Sequence, residues 1–266
     1  MTKSTLRRAL LAGSAALTLI LPLTLTLTLT LTLTLTPAWA APEHGSARHA
    51  FSLPPSADLT YSIKARKSGL ALSGEAQTSW RANDGSYSIG TETRAALFGK
   101  ILDNKSEGAI DSYGLAPARS YEKSLGKEPN TTVFHRDSQQ ITFSEGSLTY
   151  PLKGGEQDRS SAPWQLMAVA RANPDKFIPG SEWSFFVAGR RDAEPWIFKV
   201  IKLEPVRMAT GQVGSVHVVR MPPPDAKGQQ VDIWLAPSLE WYPVRLRFTD
   251  EDGEFVEQTL EKITKK

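Results

Sequence analysis

The chain contains no cysteine among its 266 residues. This absence excludes a disulfide framework, a thiolate-liganded metal site and lipid attachment through a cysteine. Motifs of common enzyme classes are missing too: there is no G-x-S-x-G nucleophile elbow, no H-E-x-x-H zinc motif and no phosphate-binding P-loop. We therefore predict a non-enzymatic protein with no catalytic residues, no metal site and no cofactor.

Acidic residues are absent from the first 40 positions, where the three charged side chains are all basic and precede residue 9. An uncharged stretch follows over 9–36 and ends in seven consecutive Leu-Thr dipeptides. Ala38 and Ala40 then give the small-x-small pattern that signal peptidase recognises. This order predicts a secretory signal over residues 1–40, cleaved after Ala40, and a periplasmic protein.

The length of the uncharged stretch supports an alternative. A transmembrane helix needs about 20 predominantly apolar residues, and residues 9–36 exceed that length. An uncleaved segment would anchor the protein in the inner membrane and would be its contact with the lipid. Pro37 favours cleavage, because proline disfavours helix in the residue before it and a peptidase needs extended chain.

The part of the chain that would remain after cleavage carries no net charge. The first 40 residues hold three of the 31 Lys and Arg residues and none of the 28 Asp and Glu residues, so the remainder carries 28 charges of each sign. Nucleic-acid-binding domains need a clustered basic face, and we predict no nucleic-acid partner. The chain is 40% hydrophobic with seven Trp residues, which is enough to build a core without disulfides.

Short alternating runs broken by turn residues dominate the sequence after residue 56. The runs 59–65 and 70–76 alternate, and Asn83-Asp84-Gly85 separates two further runs. This pattern is typical of antiparallel β-structure. We predict a mainly β fold, a curved antiparallel sheet of barrel or half-barrel type, in one domain over 57–266 behind a flexible leader over 41–56.

One segment, 161–173, indicates a helix instead. Ser161 is placed to cap it, Pro163 lies in its first turn, and Asn173 with the proline after it ends the pattern. A single short helix with a wide apolar face must bury that face, so we expect it to pack on the sheet.

Two hairpins near the C terminus have a predicted strand register. In the first, pairing Asp232 with Arg245 places apolar residues opposite apolar ones on the other face. The second turns at 251–253 and, with its glycine in the left-handed position, pairs Arg247 with Glu257. We expect both ion pairs on the surface of the sheet.

Aromatic residues are concentrated between positions 164 and 198. Alternation places Trp183 and Phe185 on one strand face and Trp196 and Phe198 on another, while Trp164 lies on the predicted helix. If these faces meet, the five side chains form a wall beside the helix. Either they fill an ordinary core, or they line a pocket for an apolar ligand.

Three motifs in the C-terminal third carry a family resemblance: VDIWLAP at 231–237, PVRLRF at 243–248 and DGEFVEQTL at 252–260. With 61–69 and 97–99, they make the stretch from Leu59 to Ile263 resemble domain-of-unknown-function family 3108 of Gram-negative envelope proteins. The resemblance implies an exported, curved antiparallel sheet, and it brings no agreed activity and no catalytic residues. That plan is similar to periplasmic lipoprotein carriers, but a likeness of fold is weak evidence of function.

We therefore predict an exported protein that binds an apolar or lipid-like small molecule in a curved sheet or assists envelope assembly. The first alternative is a structural or partner-binding envelope module with a filled core and no ligand. The second is an envelope hydrolase, for which the strand residue His217 would need a paired carboxylate to act as a general base. Whether the space between sheet and helix is filled separates ligand binding from the structural role.

Overall fold

The computed structural model describes residues 47–222 and 228–266. The predicted signal segment, its Leu-Thr repeat and the cleavage position after Ala40 lie outside the described residues. Within the described part of the chain, no helix has the length and apolar character that crossing a membrane requires.

Fifteen strands form one sheet, as the alternating sequence pattern predicts. The strands are β1 (Ala57–Lys67), β2 (Leu70–Asn83), β3 (Ser86–Ala95), β4 (Gly99–Asp111), β5 (Gly114–Ser124), β6 (Asn130–His135), β7 (Gln140–Phe143), β8 (Tyr150–Pro151), β9 (Gln157–Asp158), β10 (Glu182–Ala188), β11 (Ala193–Met208), β12 (Gly211–Arg220), β13 (Gln230–Leu235), β14 (Pro243–Thr249) and β15 (Phe255–Lys265). Within the described residues, one α-helix, α1, spans Ala162–Ala172, and short 3₁₀ turns occupy Pro174–Lys176 and Pro237–Leu239.

The two edge strands of the sheet, β8 and β9, come from the middle of the sequence. Consecutive strands pair antiparallel from β1 to β8 and from β10 to β15. β1 also pairs with β15, and β9 pairs parallel with β10. The order therefore runs from β8 to β1 and then from β15 to β9, so residues 152–156 connect the two edge strands.

The sheet curves until its two edge regions meet along a seam. Asn130 Nδ2 on β6 donates to the carbonyl of Arg190 at 3.0 Å, and Thr132 Oγ1 donates to the carbonyl of Gly189 at 3.0 Å. Apolar side chains of β6–β8 and β10–β11 share a second buried cluster across this seam. Among the described strands, β8 and β9 are not paired with each other. The structure thus confirms a curved antiparallel sheet, closed like a barrel by side chains.

The helix α1 lies inside this curve, where the predicted helix over 161–173 is confirmed. It is buried on almost every side, which matches its run of small and apolar residues. The Gln165 amide fixes it to the sheet: Oε1 accepts from the Leu115 N–H at 2.8 Å, and Nε2 donates to the Tyr113 carbonyl at 2.8 Å.

The N terminus of α1 is capped differently from the sequence prediction. Ser161 has helical backbone angles and makes no side-chain capping bond, and its hydroxyl accepts from the Asp158 N–H at 2.9 Å. Asp158 Oδ1 instead accepts from the N–H groups of Ser160 and Ser161 at 2.8 and 3.0 Å. A buried carboxylate therefore holds the backbone immediately before the helix, because it accepts from the two N–H groups that precede Ala162.

The described half of the segment predicted as a flexible leader, residues 47–56, packs against the core. Phe51 and Leu53 contact the main cluster, and the Ser52 N–H donates to the Ala168 carbonyl at 2.9 Å. Arg171 Nη1 donates to Ser52 Oγ at 2.6 Å and to the Leu53 carbonyl at 3.0 Å. The segment covers the helix because its few apolar side chains and its backbone find partners there, which its polar composition did not predict.

Of the two strand registers predicted for the C-terminal hairpins, one is confirmed and one is wrong. Arg247 pairs with Glu257 as predicted, but Asp232 pairs with Arg247 and not with Arg245. The loop between β13 and β14 is longer than assumed, with left-handed backbone at Glu240 and its neighbour. The shift is two residues from Gln230 to Trp234, and since strand side chains alternate with a period of two, Asp232, Ile233 and Leu246 keep their predicted faces. An irregularity after Trp234 sets Leu235 opposite Pro243, so Pro243 faces inward and not outward as predicted.

Strand directions define two ends of the curved sheet. The turns β1–β2, β3–β4, β5–β6, β10–β11 and β14–β15 lie at one end, which we call the rim end. The turns β2–β3, β4–β5, β6–β7 and β11–β12 lie at the opposite end, which we call the helix end. The C-terminal part of α1 is held there, where Arg171 Nη2 donates to Glu240 at 2.9 Å.

Candidate functional site

A cavity of about 390 Å³ lies inside the curved sheet between the N terminus of α1 and the rim end. Strands β1–β6, β14 and β15 and the loop after β10 contribute to its wall. Pro163 and Trp164 of the helix line it as well. The cavity is large enough for part of a small organic molecule, at the lower end of the range for ligand sites.

The wall has an apolar side and a polar side. The apolar residues come mainly from β4, β14 and β15 and include Ile101, Leu102, Leu246, Phe248 and Val256. The polar residues come mainly from β2–β6 and include Thr78, Thr91, Thr93, Asn104, Ser120 and Thr132. A cavity of this composition suits a ligand with both apolar and hydrogen-bonding parts.

Two polar atoms on the cavity wall are buried without a hydrogen-bond partner, Thr93 Oγ1 and Asn104 Oδ1. Thr93 is 5% exposed. The neighbouring hydroxyl groups of Thr78 and Thr91, by contrast, bond each other at 3.0 Å. An unsatisfied buried polar group costs about 1–3 kcal/mol, so these two atoms indicate a place where a ligand or water completes the wall.

Two arginines lie on the cavity wall with different surroundings. Arg190 is paired with Glu122 and Glu145, and Nη2 lies 2.6 Å from Glu145 Oε1. The hydrogen bond to Glu145 raises the pKa of Arg190, and the same bond lowers the pKa of Glu145. Arg159 makes no ion pair with any described residue, and its guanidinium lies beside the backbone of Gly189, where the carboxylate of Asp192 also lies. Arg159 is therefore the cation that can meet a negatively charged group in the cavity.

The five aromatic residues singled out in the sequence lie in two different places in the structure. Trp164 lines the cavity and stacks on Trp80 with ring centroids 4.7 Å apart. The other four share one inward face, as β10–β11 pairing sets Trp183 opposite Phe198 and Phe185 opposite Trp196.

Those four side chains belong to the packed core and not to the cavity wall. Trp183 stacks on Phe177 at 4.5 Å, and Phe185 contacts Phe198 at 6.0 Å. The Arg220 guanidinium lies 4.6 Å from the Trp196 ring. The alternating pattern correctly predicted that these four side chains share an inward face. The high density of aromatic residues, however, corresponds to a packed core and not to a pocket.

The residues that sequence reasoning missed are the inward polar side chains of β3 and β4. Thr91 and Thr93 alternate with the charged Glu92, which is the period expected when two hydroxyl groups face inward. An inward-facing threonine pair in place of aliphatic residues is the signal that could have located the polar wall. Leu246 and Val256 lie on the opposite wall. They are distant in sequence from the two threonines, and the pairing of β1 with β15 brings their strands into the same cavity.

His217 lies outside the cavity in a separate cluster on the outer face. Its Nε2 is 2.8 Å from Asp232 Oδ1, and its ring stacks on Trp234 at 4.2 Å. Its Nδ1 is 3.2 Å from Glu204 Oε1, within ion-pair distance but without hydrogen-bond geometry. The carboxylates that a general base needs are present, yet among the described residues no hydroxyl nucleophile bonds this histidine. The cluster holds strands together.

A group of carboxylates at the β14–β15 turn has spacing that could hold a cation: Asp250, Asp252 and Glu254. Lys67 already pairs with Asp250 at 3.1 Å and with Glu254 at 2.5 Å. Two of the three carboxylates therefore already have a cationic partner in Lys67.

Comparison with known proteins agrees with this fold. A barrel-like protein of domain-of-unknown-function family 1849 from Brucella abortus is similar over 82% of this chain and 100% of its own, with 15% identity and a TM-score of 0.55. A protein described as a lipoprotein from Parabacteroides distasonis has 13% identity, covers 82% of this chain and 100% of its own, and has a TM-score of only 0.33. None of the curated proteins matches the sequence.

The sequence match identifies the family directly. Residues 60–261 match the family described as Protein of unknown function (DUF3108), so the chain belongs to that family.

Proposed function

We propose that this DUF3108 protein is exported to the periplasm, with its signal cleaved after Ala40, and binds a lipid-like small molecule without catalysing a reaction. The ligand site is the cavity between α1 and the rim end. The signal pattern of residues 1–40 supports export. The family description names no activity, so the case for ligand binding depends on the cavity itself.

The observation that carries the proposal is the pair of unpartnered polar atoms, Thr93 Oγ1 and Asn104 Oδ1, inside the cavity. Such atoms are uncommon in a packed interior, because the great majority of buried polar groups are hydrogen-bonded, and these two lie together on the wall of one cavity. A ligand hydroxyl, carbonyl or carboxyl group that reaches β3 and β4 would supply the missing bonds.

The remaining wall favours an amphipathic ligand. Its apolar part would lie against Leu246, Phe248 and Val256, where it removes hydrocarbon surface from water. Its polar part would lie toward Thr93 and Arg159. Arg159 makes an anionic headgroup preferable to a neutral one, because a guanidinium forms strong charge-assisted hydrogen bonds with carboxylate or phosphate oxygens.

The structural-module alternative requires a filled interior. The half of the interior near the helix end is filled by Trp183, Phe185 and Phe198. The half toward the rim end is open. This unequal packing favours ligand binding over a purely structural role.

A matched pair of variants tests the proposal. Val256→Trp places an indole in the cavity, whereas Phe255→Trp introduces the same side chain one residue earlier on the outer face, beside Arg247. We expect Val256→Trp to abolish binding of a fluorescent fatty acyl probe, and Phe255→Trp to bind as the wild type does. Equal probe affinity in all three proteins would contradict a site in this cavity.

Native mass spectrometry of the protein taken from periplasm identifies the ligand. We expect an additional mass that corresponds to a lipid-like anion and is reduced in Val256→Trp. Intact mass also reports the N terminus, which we expect at Ala41. A full-length species found only in membranes would support the anchored alternative.

A further inference from the structure

We propose that the rim end of the sheet docks on an anionic lipid surface through three neighbouring hairpin tips. The three tips are residues 66–70 between β1 and β2, 94–100 between β3 and β4, and 123–127 between β5 and β6. They are adjacent in the sheet, because β1 to β6 lie side by side. This inference concerns the outer surface and does not depend on whether the cavity holds a ligand.

Each of the three tips exposes a large apolar side chain. Leu70 is 63% exposed, Leu97 81%, Phe98 59% and Leu125 59%. A single exposed leucine on a protein surface is ordinary and needs no explanation. Their occurrence on three successive tips at one end is different, because it forms a row of separate apolar points facing the same way.

The turns at the opposite end provide an internal comparison. The β2–β3, β6–β7 and β11–β12 turns are formed by Asp84 and Gly85, by Arg136–Gln139, and by Ala209 and Thr210. None of these residues of the described chain is a large exposed hydrophobic residue. The apolar tips are therefore specific to the rim end and are not a general property of the hairpins.

Basic residues flank every apolar tip. Arg66 and Lys67 precede Leu70, Arg94 and Lys100 enclose the second tip, and Lys123 and Lys127 enclose the third. Arg94 and Lys100 have carboxylate partners on their own strands, in Glu92 and Asp103, and Lys67 has one in Asp250 of the β14–β15 turn. The other three, Arg66, Lys123 and Lys127, form no ion pair with any described residue.

This combination fits an anionic bilayer better than a protein partner. Protein interfaces are built on a contiguous, closely packed patch, whereas these apolar residues stand on separate tips. A lipid surface can accommodate separate apolar points, each entering the boundary between headgroups and acyl chains. Lysine and arginine beside them are attracted by anionic headgroups.

The acidic β14–β15 turn limits the orientation. Glu251 and Asp252 extend at the rim end beside β1 and repel an anionic surface. Lys67 of the first tip pairs with Asp250 and Glu254 of this turn, so docking tilts toward the second and third tips, which lie farther from it. In this orientation the cavity, whose wall includes Thr93, Leu102 and Glu122 near the same tips, faces the lipid.

Vesicle co-sedimentation of the exported protein tests the inference. We expect binding to vesicles of phosphatidylcholine with phosphatidylglycerol, and little binding to phosphatidylcholine alone. Lys123→Ala and Lys127→Ala should each weaken binding to the anionic vesicles by about fivefold. The double variant Leu97→Ser/Phe98→Ser should also weaken it, with unchanged circular dichroism and melting temperature because these side chains are exposed.

Two control variants keep the test specific. Ile178→Ser removes a side chain that is 56% exposed, beyond the C-terminal end of α1, and Lys176→Ala removes a charge beside it. Both should bind vesicles as the wild type does. Absence of vesicle binding, equal binding to neutral vesicles, or equal losses in the control variants would overturn the proposal.

Discussion

Trp80 on β2 stacks on Trp164 of α1 with an interplanar angle of 17°, and its indole N–H donates to the carbonyl of Pro54 at 3.1 Å. One side chain thus joins three parts of the fold: the sheet, the helix that forms the floor of the cavity, and the segment 47–56. Trp80 is fully buried, so its contacts are made without competition from water.

Replacing Trp80 should be among the most damaging changes in the chain. Trp80→Ala removes a large buried ring and leaves a cavity, and we expect a loss of about 3–5 kcal/mol in the free energy of unfolding. Urea denaturation measures it. Trp80→Phe, which keeps a ring but loses the bond to Pro54, should lose less. A cost below about 1 kcal/mol for the alanine variant would show that the stack is not part of a packed core.

The division of the aromatic residues between core and cavity makes a second prediction. Trp183→Ala and Trp196→Ala should each cost about 3–5 kcal/mol in unfolding free energy, because both rings are buried among other rings. Neither should change the affinity for a fluorescent fatty acyl probe once the protein is folded. Trp164→Ala should weaken probe binding, because this ring lines the cavity.

Weakened probe binding in Trp183→Ala or Trp196→Ala, with Trp164→Ala unaffected, would assign the ligand to the aromatic wall on β10 and β11. Thermal melting of the same proteins separates a lost contact from partial unfolding.

Asp158 gives a prediction for pH dependence. Burial raises the pKa of this carboxyl group, while the bond from Ser106 Oγ at 2.5 Å and the N–H donors of Ser160 and Ser161 act in the opposite direction. The folded state therefore holds the proton more tightly than the unfolded chain does. The stability contribution is complete below the unfolded value of about 3.9 and is lost as pH rises through the folded pKa.

Asp158→Asn keeps an oxygen acceptor for the N–H groups of Ser160 and Ser161 and removes the titration. The difference in unfolding free energy between wild type and variant should shift in favour of the wild type as pH falls from neutral toward about pH 4. Urea denaturation at several pH values measures this shift. A difference that stays constant with pH would show that burial does not perturb the carboxyl group.

Two charged pairs on the outer face of the sheet should contribute differently to stability. Arg247 and Glu257 lie 3.5 Å apart on the surface, and a double-mutant cycle should give a coupling below about 1 kcal/mol. His217→Ala should cost more, about 1–3 kcal/mol, because it leaves the buried carboxylate of Asp232 without its imidazole donor. Larger coupling in the Arg247 cycle than in a His217–Asp232 cycle would contradict this order.

The parts of the fold that were predictable from sequence are those encoded by neighbouring residues. Alternation predicted which face each strand buries, and Gly253, with φ of 79°, marks the turn that fixes Arg247 opposite Glu257. The partner of Asp232 could not be obtained in this way. The loop between β13 and β14 has left-handed backbone at Glu240 and Trp241, and neither residue type predicts that conformation. This loop shifts the β14 partner of Asp232 by two residues.

The candidate site was less predictable, because no local pattern encodes an unfilled volume. Trp183 and Trp196 attract attention by their size, yet size is what fills a core. Thr93 and Val256 line one cavity although they are distant in sequence, and only the pairing of β1 with β15 brings their strands near. That pairing joins the first and last strands of the domain, so no local pattern in the sequence encodes it.

The seam between β8 and β9 has a mechanical consequence. Because the two edge strands are not hydrogen-bonded to each other, the sheet can part there without breaking a strand pair. The connection through residues 152–156 acts as a tether, whose extended length of about 20 Å sets how far the edges can separate. Separation at the seam would break the bonds of Asn130 and Thr132 to the carbonyls of Arg190 and Gly189 and would expose the second buried cluster, while every strand pair stays in register.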